Sequence, residues 1–290
     1  EEMGSPGAAA VVFLHGVGVS GRMWAGHMAR LAAYHCLAPD LPGFGRSRSL
    51  LWRSREHTAE LVAELIATRA RTGRAHVVGL SLGGTIAHTL LARRPELLET
   101  VVIDEAGVLP APIAPLAELG VALVAPFLHT RAVVAAIGRV FYLDAQGRRD
   151  LRVASRRAFL QAVRDANDTV ITPGEVAAPC RTLLVAGERG FSAVRASNAA
   201  LAALMPHAEA RYVARRGHGW IGQEPELHRR MVAAWIRGDA LPPELLPETT
   251  PWPVARVHAL LGRATPPRAP IPLDQASARD AKSERGARVP

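Results

Sequence analysis

Short apolar runs alternate along much of the chain with longer segments whose apolar residues recur every three or four positions. The runs have the length of buried strands and predict six of them, at residues 9–14, 34–39, 76–80, 100–104, 182–186 and 210–214. The periodic segments predict helices at residues 56–72, in the segment after Ser81, and at residues 225–238. Gly73 follows the first of these helices and is predicted as its C-terminal cap. Strands that alternate with helices are typical of an α/β protein, so we expect a mostly parallel central sheet flanked by helices.

Two regions depart from this alternation. Residues 107–178 contain helical patterns without a convincing strand, and they lie between two predicted strands. They therefore predict an inserted helical cap, with core segments 1–106 and 179–238 on either side of it. Residues 239–290 hold ten of the 22 prolines and charges without a pattern, which predicts a disordered tail apart from a short helix at 254–261.

The charge of the chain excludes some classes of partner. Lys and Arg total 35 against 26 Asp and Glu, and every basic residue except Lys282 is arginine. These arginines occur singly or in pairs, without the basic stripe and interleaved aromatic residues of a nucleic-acid-binding surface. The longest apolar run, residues 119–128, is about half the length of a membrane span, so we expect neither a nucleic-acid nor a membrane partner.

The cysteines and the first residues bear on metal binding and location. Cys36 and Cys180 are far apart and lack the spacing of metal ligands, so neither a zinc site nor a disulfide framework is predicted. The first residues lack the basic flank and apolar core of a secretory signal. Together these features predict a cytoplasmic protein.

The strongest chemical signal is the segment Gly79-Leu80-Ser81-Leu82-Gly83, between a predicted strand and a predicted helix. A sharp turn from strand to helix needs small residues on both sides, so that the two elements can approach each other. Such a turn raises the hydroxyl of Ser81 above the edge of the sheet, and the following helix N-terminus stabilises negative charge. The segment predicts a nucleophilic serine.

Two further segments could complete a site around this serine. Leu14-His15-Gly16-Val17-Gly18 follows a predicted strand, and its glycine-rich turn can present a backbone N–H that acts with that of Leu82 as an oxyanion hole. His218 stands between two glycines after the last predicted strand, and an imidazole can activate serine near neutral pH.

The segments LHGVG, DLPGFGRS, GLSLGG and GHGW, in this order and spacing, resemble the α/β-hydrolase superfamily over residues 9 to 238. The resemblance implies that Ser81 is the nucleophile, His218 the base, and Val17 and Leu82 the oxyanion donors. It also implies that no metal and no organic cofactor is needed. Members of the superfamily usually have two more strands before the first one here, so either the chain begins late or its sheet lacks that edge.

The third member of the implied triad departs from the family pattern. Gly190 occupies the position where the superfamily usually has an aspartate, and Glu188 lies two residues too early. Some relatives take the acid from the end of the strand that precedes the cap, where this chain has Asp104 and Glu105. Glu105 falls one residue beyond the strand, as in those relatives, so we favour it over Asp104. The alternative is that the triad lacks its acid.

These observations predict a serine hydrolase that acts on a carboxylic ester or a related acyl compound. The apolar first part of the cap favours a small-molecule substrate with an apolar acyl or alkyl part, and Trp24, Met23 and Trp220 are expected to line its pocket. A carbon–carbon bond hydrolase, a cofactor-free haloperoxidase or perhydrolase, and a thioesterase would use the same triad. A non-catalytic ligand-binding protein of the same fold is the alternative from another class.

Overall fold

The computed structural model describes residues 1–108, 114–168 and 180–248, with the backbone alone for residues 114–118. Within these ranges the strands are β1 (Glu2–Met3), β2 (Ala10–Leu14), β3 (His35–Leu37), β4 (Ala75–Leu80), β5 (Leu98–Asp104), β6 (Arg181–Gly187), β7 (Ala208–Val213) and β8 (Leu245–Pro247). They form one sheet in the order β1-β3-β2-β4-β5-β6-β7-β8. Strands β2 to β7 are parallel, and β1 and β8 pair antiparallel at the two edges. The parallel strands are the six that the sequence pattern predicts.

Helices cover both faces of this sheet. They are α1 (Ala25–Arg30), α2 (Arg55–Arg69), α3 (Leu82–Arg93), α4 (Ala114–Val124), α5 (Arg131–Val140), α6 (Ala145–Val153), α7 (Arg156–Asn167), α8 (Ser192–Leu204), α9 (Trp220–Gln223) and α10 (Pro225–Arg237). Strand residues alternate between the faces: Val12 and Leu14 pack with α2, α3 and α8, whereas Val11 and Phe13 pack with α1 and α10. In the part of the chain that the structure describes, no helix is both long and apolar enough to cross a bilayer.

Local signals explain where the helices begin and end. The side chain of Ser54 accepts the N–H of His57 at 3.1 Å and caps the start of α2. Gly238 has a φ of 79° and ends α10, as its position after the helical pattern predicts. The predicted cap at Gly73 is wrong: α2 ends at Arg69 because the backbone becomes extended at Ala70, and Gly73 lies in the turn that follows.

Four helices, α4 to α7, are inserted between β5 and β6 and form the cap over the sheet. The backbone N–H of Ser155, at the start of α7, donates to the carbonyl of Gly43 at 3.0 Å. The indole N–H of Trp52 donates to Asp165 Oδ2 at 2.7 Å. These two bonds attach α7 to the core. Two stretches of the predicted cap, residues 109–113 and 169–178, lie outside the described residues.

The edges of the sheet differ from the sequence expectation. Residues 239 onward were expected to be disordered, but β8 pairs with β7, with Leu245 opposite Val213 and Pro247 opposite Arg211. Leu245 is buried, and Glu248 forms an ion pair with Arg195 at 2.7 Å. Three residues that end in proline carry too little pattern to be recognised as a strand. At the other edge, β1 pairs with β3. The helix predicted at 254–261 lies outside the described residues.

Candidate active site

Ser81 occupies the turn between β4 and α3. Its φ of 51° and ψ of −111° are rare for a residue with a side chain, and the sharp turn requires them. A β-carbon on Gly79 would lie 2.3 Å from the carbonyl oxygen of Gly83, and one on Gly83 would lie 2.1 Å from that of Leu14. Because neither position can hold a side chain without a shift of the backbone, both glycines are needed for the strand and the helix to approach.

His218 lies on the loop between β7 and α9, at the same edge of the sheet as Ser81. Its Nε2 lies 3.2 Å from Ser81 Oγ. The aromatic rings of Phe141 and Phe191 flank the imidazole, with ring centroids at 5.7 and 4.9 Å. A β-carbon on Gly219 would lie 2.9 Å from Cα of Phe141, so the loop packs closely against the cap. The imidazole therefore packs beside two aromatic rings while its Nε2 faces the serine hydroxyl.

Glu105 follows the last residue of β5 and is 2% exposed. Its φ of 54° turns the backbone sharply away from the strand. Oε2 lies 3.1 Å from His218 Nδ1, and Oε1 accepts the backbone N–H of Gly187 at 2.6 Å. A β-carbon on Gly190 would lie 3.1 Å from Oε2 of Glu105. The carboxylate thus occupies the space next to Gly190, where the family pattern has an aspartate side chain.

Asp104, the other candidate acid, lies on the opposite side of the strand. Its Oδ1 accepts the indole N–H of Trp220 at 2.8 Å, and its Oδ2 lies 3.2 Å from His228 Nε2. Successive residues of a strand point to opposite faces, so only one of two neighbouring carboxylates can reach a given partner. The structure brings Glu105, and not Asp104, to His218.

The turn after β2 passes directly beside the serine. A β-carbon on Gly16 would lie 3.7 Å from that of Ser81. The buried ring of His15 fixes this turn: its Nδ1–H donates to the carbonyl of Gly16 at 2.8 Å, and its Nε2 accepts the N–H of Leu41 at 2.9 Å. Burial lowers the pKa of His15. The neutral ring that results can both donate and accept.

The two candidate oxyanion donors lie on the elements next to this turn. Val17 follows Gly16 directly and is half-buried. Leu82 is the first residue of α3, and the first N–H groups of a helix have no partner within it. The positive end of the helix also stabilises an anion at this point. Leu82 directly follows Ser81 in the chain, and Val17 directly follows Gly16, which lies beside Ser81.

The cap lies directly over the turn that carries Val17. A β-carbon on Gly18 would lie 2.7 Å from Leu151 Cδ1 and 3.1 Å from the ring of Phe159. The hydroxyl of Ser20 donates to Asp150 Oδ2 at 2.5 Å. Helices α6 and α7 therefore cover the edge of the sheet at which the site lies.

The residues expected to line the pocket lie elsewhere. Trp24 and Trp220 are both 0% exposed and belong to the apolar core between the sheet and helices α1 and α10. Met23 packs against the same core. The prediction that these residues line a substrate pocket is therefore wrong, because the turn before α1 and the start of α9 direct these side chains into the core between the sheet and helices α1 and α10. Phe141 and Phe191, which the sequence analysis did not single out, flank His218 instead.

A signal for Phe191 is present in the sequence, since it follows Gly190, the position at which the family pattern has the acid. Phe141 belongs to the cap and has no local signal. Among the described residues, no group of three or more His, Cys, Asp and Glu side chains could hold a metal ion.

Comparisons with known proteins give a consistent result. A sequence model of the "Alpha/beta hydrolase family" matches residues 11–234. A Gibberella zeae protein described as an AB hydrolase superfamily protein is 30% identical over 250 residues, which cover 82% of this chain and 83% of that protein. The pimeloyl-[acyl-carrier protein] methyl ester esterase of Aeromonas salmonicida is 38% identical over 93 residues, or 32% of this chain and 35% of that protein. The solved enol-lactonase from Burkholderia xenovorans LB400 superposes with a TM-score of 0.69 at 20% identity, covering 82% of this chain and 95% of that one, and shares its fold.

Proposed function

Because this chain belongs to the alpha/beta hydrolase family, we propose that it is a serine hydrolase that cleaves a carboxylic ester or a related acyl compound. The observation that carries the proposal is the relay of Ser81, His218 and Glu105. The two contacts of this relay measure 3.2 Å from Ser81 Oγ to Nε2 and 3.1 Å from Nδ1 to Glu105 Oε2. A serine with a base in reach, and a base held by a carboxylate, is the arrangement that nucleophilic acyl transfer requires.

In the first half of the reaction, His218 Nε2 takes the proton of Ser81 while Oγ attacks the substrate carbonyl. The carbonyl oxygen becomes an anion, which the backbone N–H groups of Val17 and Leu82 stabilise. Glu105 accepts the Nδ1–H of His218 and stabilises the imidazolium that forms. The imidazolium then gives its proton to the leaving alcohol, and the acyl group stays on Ser81.

In the second half, water replaces the alcohol. His218 accepts a proton from the water, which attacks the acyl carbon and forms a second oxyanion at the same two N–H groups. Collapse of this intermediate releases the carboxylic acid and returns the proton to Ser81. Each group is used twice, and the chemistry is complete with side-chain and backbone groups alone.

We further propose that the substrate is a small molecule with an apolar part next to the reacting carbonyl. Phe141 and Phe191 beside His218 support this, because they make the surroundings of the base apolar. Phe191 is 51% exposed and can contact a bound molecule. The local likeness to a pimeloyl-[acyl-carrier protein] methyl ester esterase supports the acyl part of this proposal.

Covalent labelling tests the proposal most directly. A fluorophosphonate probe reacts with an activated serine, so we expect it to label the full chain once. Ser81→Ala should abolish both the labelling and the hydrolysis of p-nitrophenyl esters, whereas the exposed Ser49→Ala should change neither. A folded chain without labelling or esterase activity would instead indicate a ligand-binding protein. Labelling that survives in Ser81→Ala would overturn the nucleophile assignment.

A further inference from the structure

A cluster of buried polar side chains lies on the α1 and α10 side of the sheet, directly behind the proposed triad. Asp104 Oδ1 accepts the indole N–H of Trp220 at 2.8 Å, and Asp104 Oδ2 lies 3.2 Å from His228 Nε2. His228 Nδ1 in turn lies 2.7 Å from His27 Nε2. All four side chains are at most 4% exposed. The acyl-transfer steps use none of them, so the cluster needs another explanation.

Asp104 is connected to all three members of the triad. Its backbone carbonyl accepts the N–H of Ser81 at 2.8 Å. Its side chain holds Trp220, which lies two residues after His218. Its neighbour in the chain is Glu105. One residue thus joins the turn of the nucleophile, the loop of the base and the strand of the acid.

The surroundings of Asp104 favour a neutral carboxylic acid. Neither Oδ2 nor His228 Nε2 has a well-directed hydrogen bond to any described residue. A buried carboxylate with a single N–H donor would be poorly compensated, and this favours the protonated form of Asp104. Burial and the carboxylate of Glu105 hold the pKa of Asp104 well above its usual range. Burial and the positive charge of Arg229 lower the pKa of His228 to about 3.

The charged and titratable groups that face Asp104 are Glu105 on its own strand, His218 on the loop after β7, and His228 on α10. Glu105 repels a second negative charge, and His228 is neutral. Neither of these two groups therefore compensates a negative charge on Asp104.

We propose that Asp104 is a positioning residue. As a neutral acid it accepts the indole N–H of Trp220, and this bond holds the loop of His218 so that the imidazole stays within hydrogen-bond distance of Glu105. The inference rests on the proposed function, since it assigns Asp104 a role in keeping that triad assembled. Without the bond, the indole N–H of Trp220 is buried without a partner and the loop shifts to satisfy it. A misplacement of about 1 Å in a catalytic group can cost about 10²-fold in rate.

Two substitutions at Asp104 distinguish a role in positioning Trp220 from a role of the negative charge of a carboxylate. Asp104→Asn keeps an oxygen for Trp220 and places an NH2 group toward His228, so it imitates the neutral acid. We expect its kcat to stay within about threefold of the parent and the acid limb of its pH–rate profile to remain in place. Asp104→Leu has a similar size but no acceptor. We expect its kcat to fall by about 10- to 100-fold with little change in KM.

A loss in Asp104→Asn equal to that in Asp104→Leu would overturn the inference, and so would a shift of the acid limb to lower pH by half a unit or more. Either result would mean that Asp104 acts through a negative charge. Full activity in Asp104→Leu would show that the residue positions nothing.

Trp220→Phe removes the donor instead of the acceptor and decides the question if Asp104→Leu does not fold. We expect the same loss in kcat, and no further loss when Trp220→Phe is combined with Asp104→Leu, because both remove one bond. Trp235→Phe is the matched control, since this buried indole packs against Arg181 at the start of β6 and its N–H has no hydrogen-bond partner among the described residues. It should lower stability but leave kcat unchanged. A fully additive double variant would contradict the proposal.

A spectroscopic measurement tests the bond without reference to activity. In the full chain labelled with ¹⁵N-tryptophan, the indole N–H of Trp220 should exchange slowly with solvent in the parent and in Asp104→Asn, and quickly in Asp104→Leu. Rapid exchange in the parent would overturn the inference even if the enzyme is active. Slow exchange in a chain that fluorophosphonate does not label would overturn the proposed function and leave the bond in place.

Discussion

Replacing Glu105 with glutamine tests how the acid controls the imidazole. The N–H of Gly187 donates to Glu105 Oε1 at 2.6 Å, and in glutamine only the amide oxygen can accept this bond. The NH2 group must then face His218 Nδ1, which lies 3.1 Å from Oε2 of the glutamate. A donor at this position makes Nδ1 an acceptor and moves the ring proton to Nε2, which faces Ser81 Oγ. The base is blocked although the side chain keeps its size.

The expected loss is large. An acid-to-amide change that stabilises the wrong tautomer costs about 10⁴-fold in kcat, or about 5.5 kcal/mol of transition-state stabilisation. We expect Glu105→Gln to lower kcat for p-nitrophenyl esters by about 10³- to 10⁴-fold and to slow fluorophosphonate labelling in parallel. Glu188→Gln is the control, because this exposed carboxylate accepts the N–H of Arg215 and does not contact His218. A loss below tenfold in folded Glu105→Gln would refute the reasoning.

The carboxylate can also be moved to the position that the family pattern expects. Glu105→Gly removes it and suits the φ of 54° at this residue. Because a β-carbon on Gly190 would lie 3.1 Å from Oε2 of Glu105, an aspartate there places its carboxylate in the space that the glutamate leaves. Adding Gly190→Asp to Glu105→Gly should therefore raise kcat at least tenfold above the single variant. No recovery would show that the carboxylate works only from the strand.

Two further predictions concern stability. A β-carbon on Gly83 would lie 2.1 Å from the carbonyl oxygen of Leu14, so Gly83→Ala should lower the free energy of unfolding by about 3 kcal/mol. Gly120→Ala, in α4 where a β-carbon meets nothing within 4 Å, should raise it by about 0.5–1 kcal/mol, and denaturation in urea measures both. A higher free energy of unfolding in Gly83→Ala than in Gly120→Ala would contradict the packing argument. Burial lowers the pKa of His88 from 6.5 to about 4. The unfolded chain therefore binds a proton that the fold excludes, and stability falls as the pH drops from about 6.5 to 4, by about 2 kcal/mol at pH 5 from this residue alone. The melting temperature should fall between pH 7 and pH 5, and less so in His88→Leu; equal pH dependence of the two chains would contradict the assignment.

The central part of the fold could be predicted because buried parallel strands leave a strong signal. Strands β2, β4, β5 and β6 each contain a nearly continuous apolar run that ends in a turn, and this pattern does not depend on distant contacts. The edge strands could not be predicted. β1 has two residues and β8 has three, and both are strands only because β3 and β7 offer free backbone groups beside them.

The same distinction between local signals and distant contacts applies to the residues of the site. Ser81 and His218 could be named from the sequence because glycines mark the turns that carry them. The choice between Asp104 and Glu105 could not be decided in this way, since it depends on the positive φ at Glu105 and on the N–H of Gly187, 82 residues away. Trp24 was misassigned because its nearness to the glycine-rich turn along the chain does not reveal which face of the sheet the indole packs against.

The way in which the sheet ends at β8 also bears on aggregation. A long unpaired edge strand is a template for intermolecular pairing and aggregation. Here β8 covers Arg211–Val213 of β7 and ends in Pro247, which has no N–H to offer to a neighbour. A shortened chain that ends at residue 238 would keep the proposed triad but would expose the whole six-residue edge of β7. The described residues after α10 thus shield half of the β7 edge from pairing with another chain.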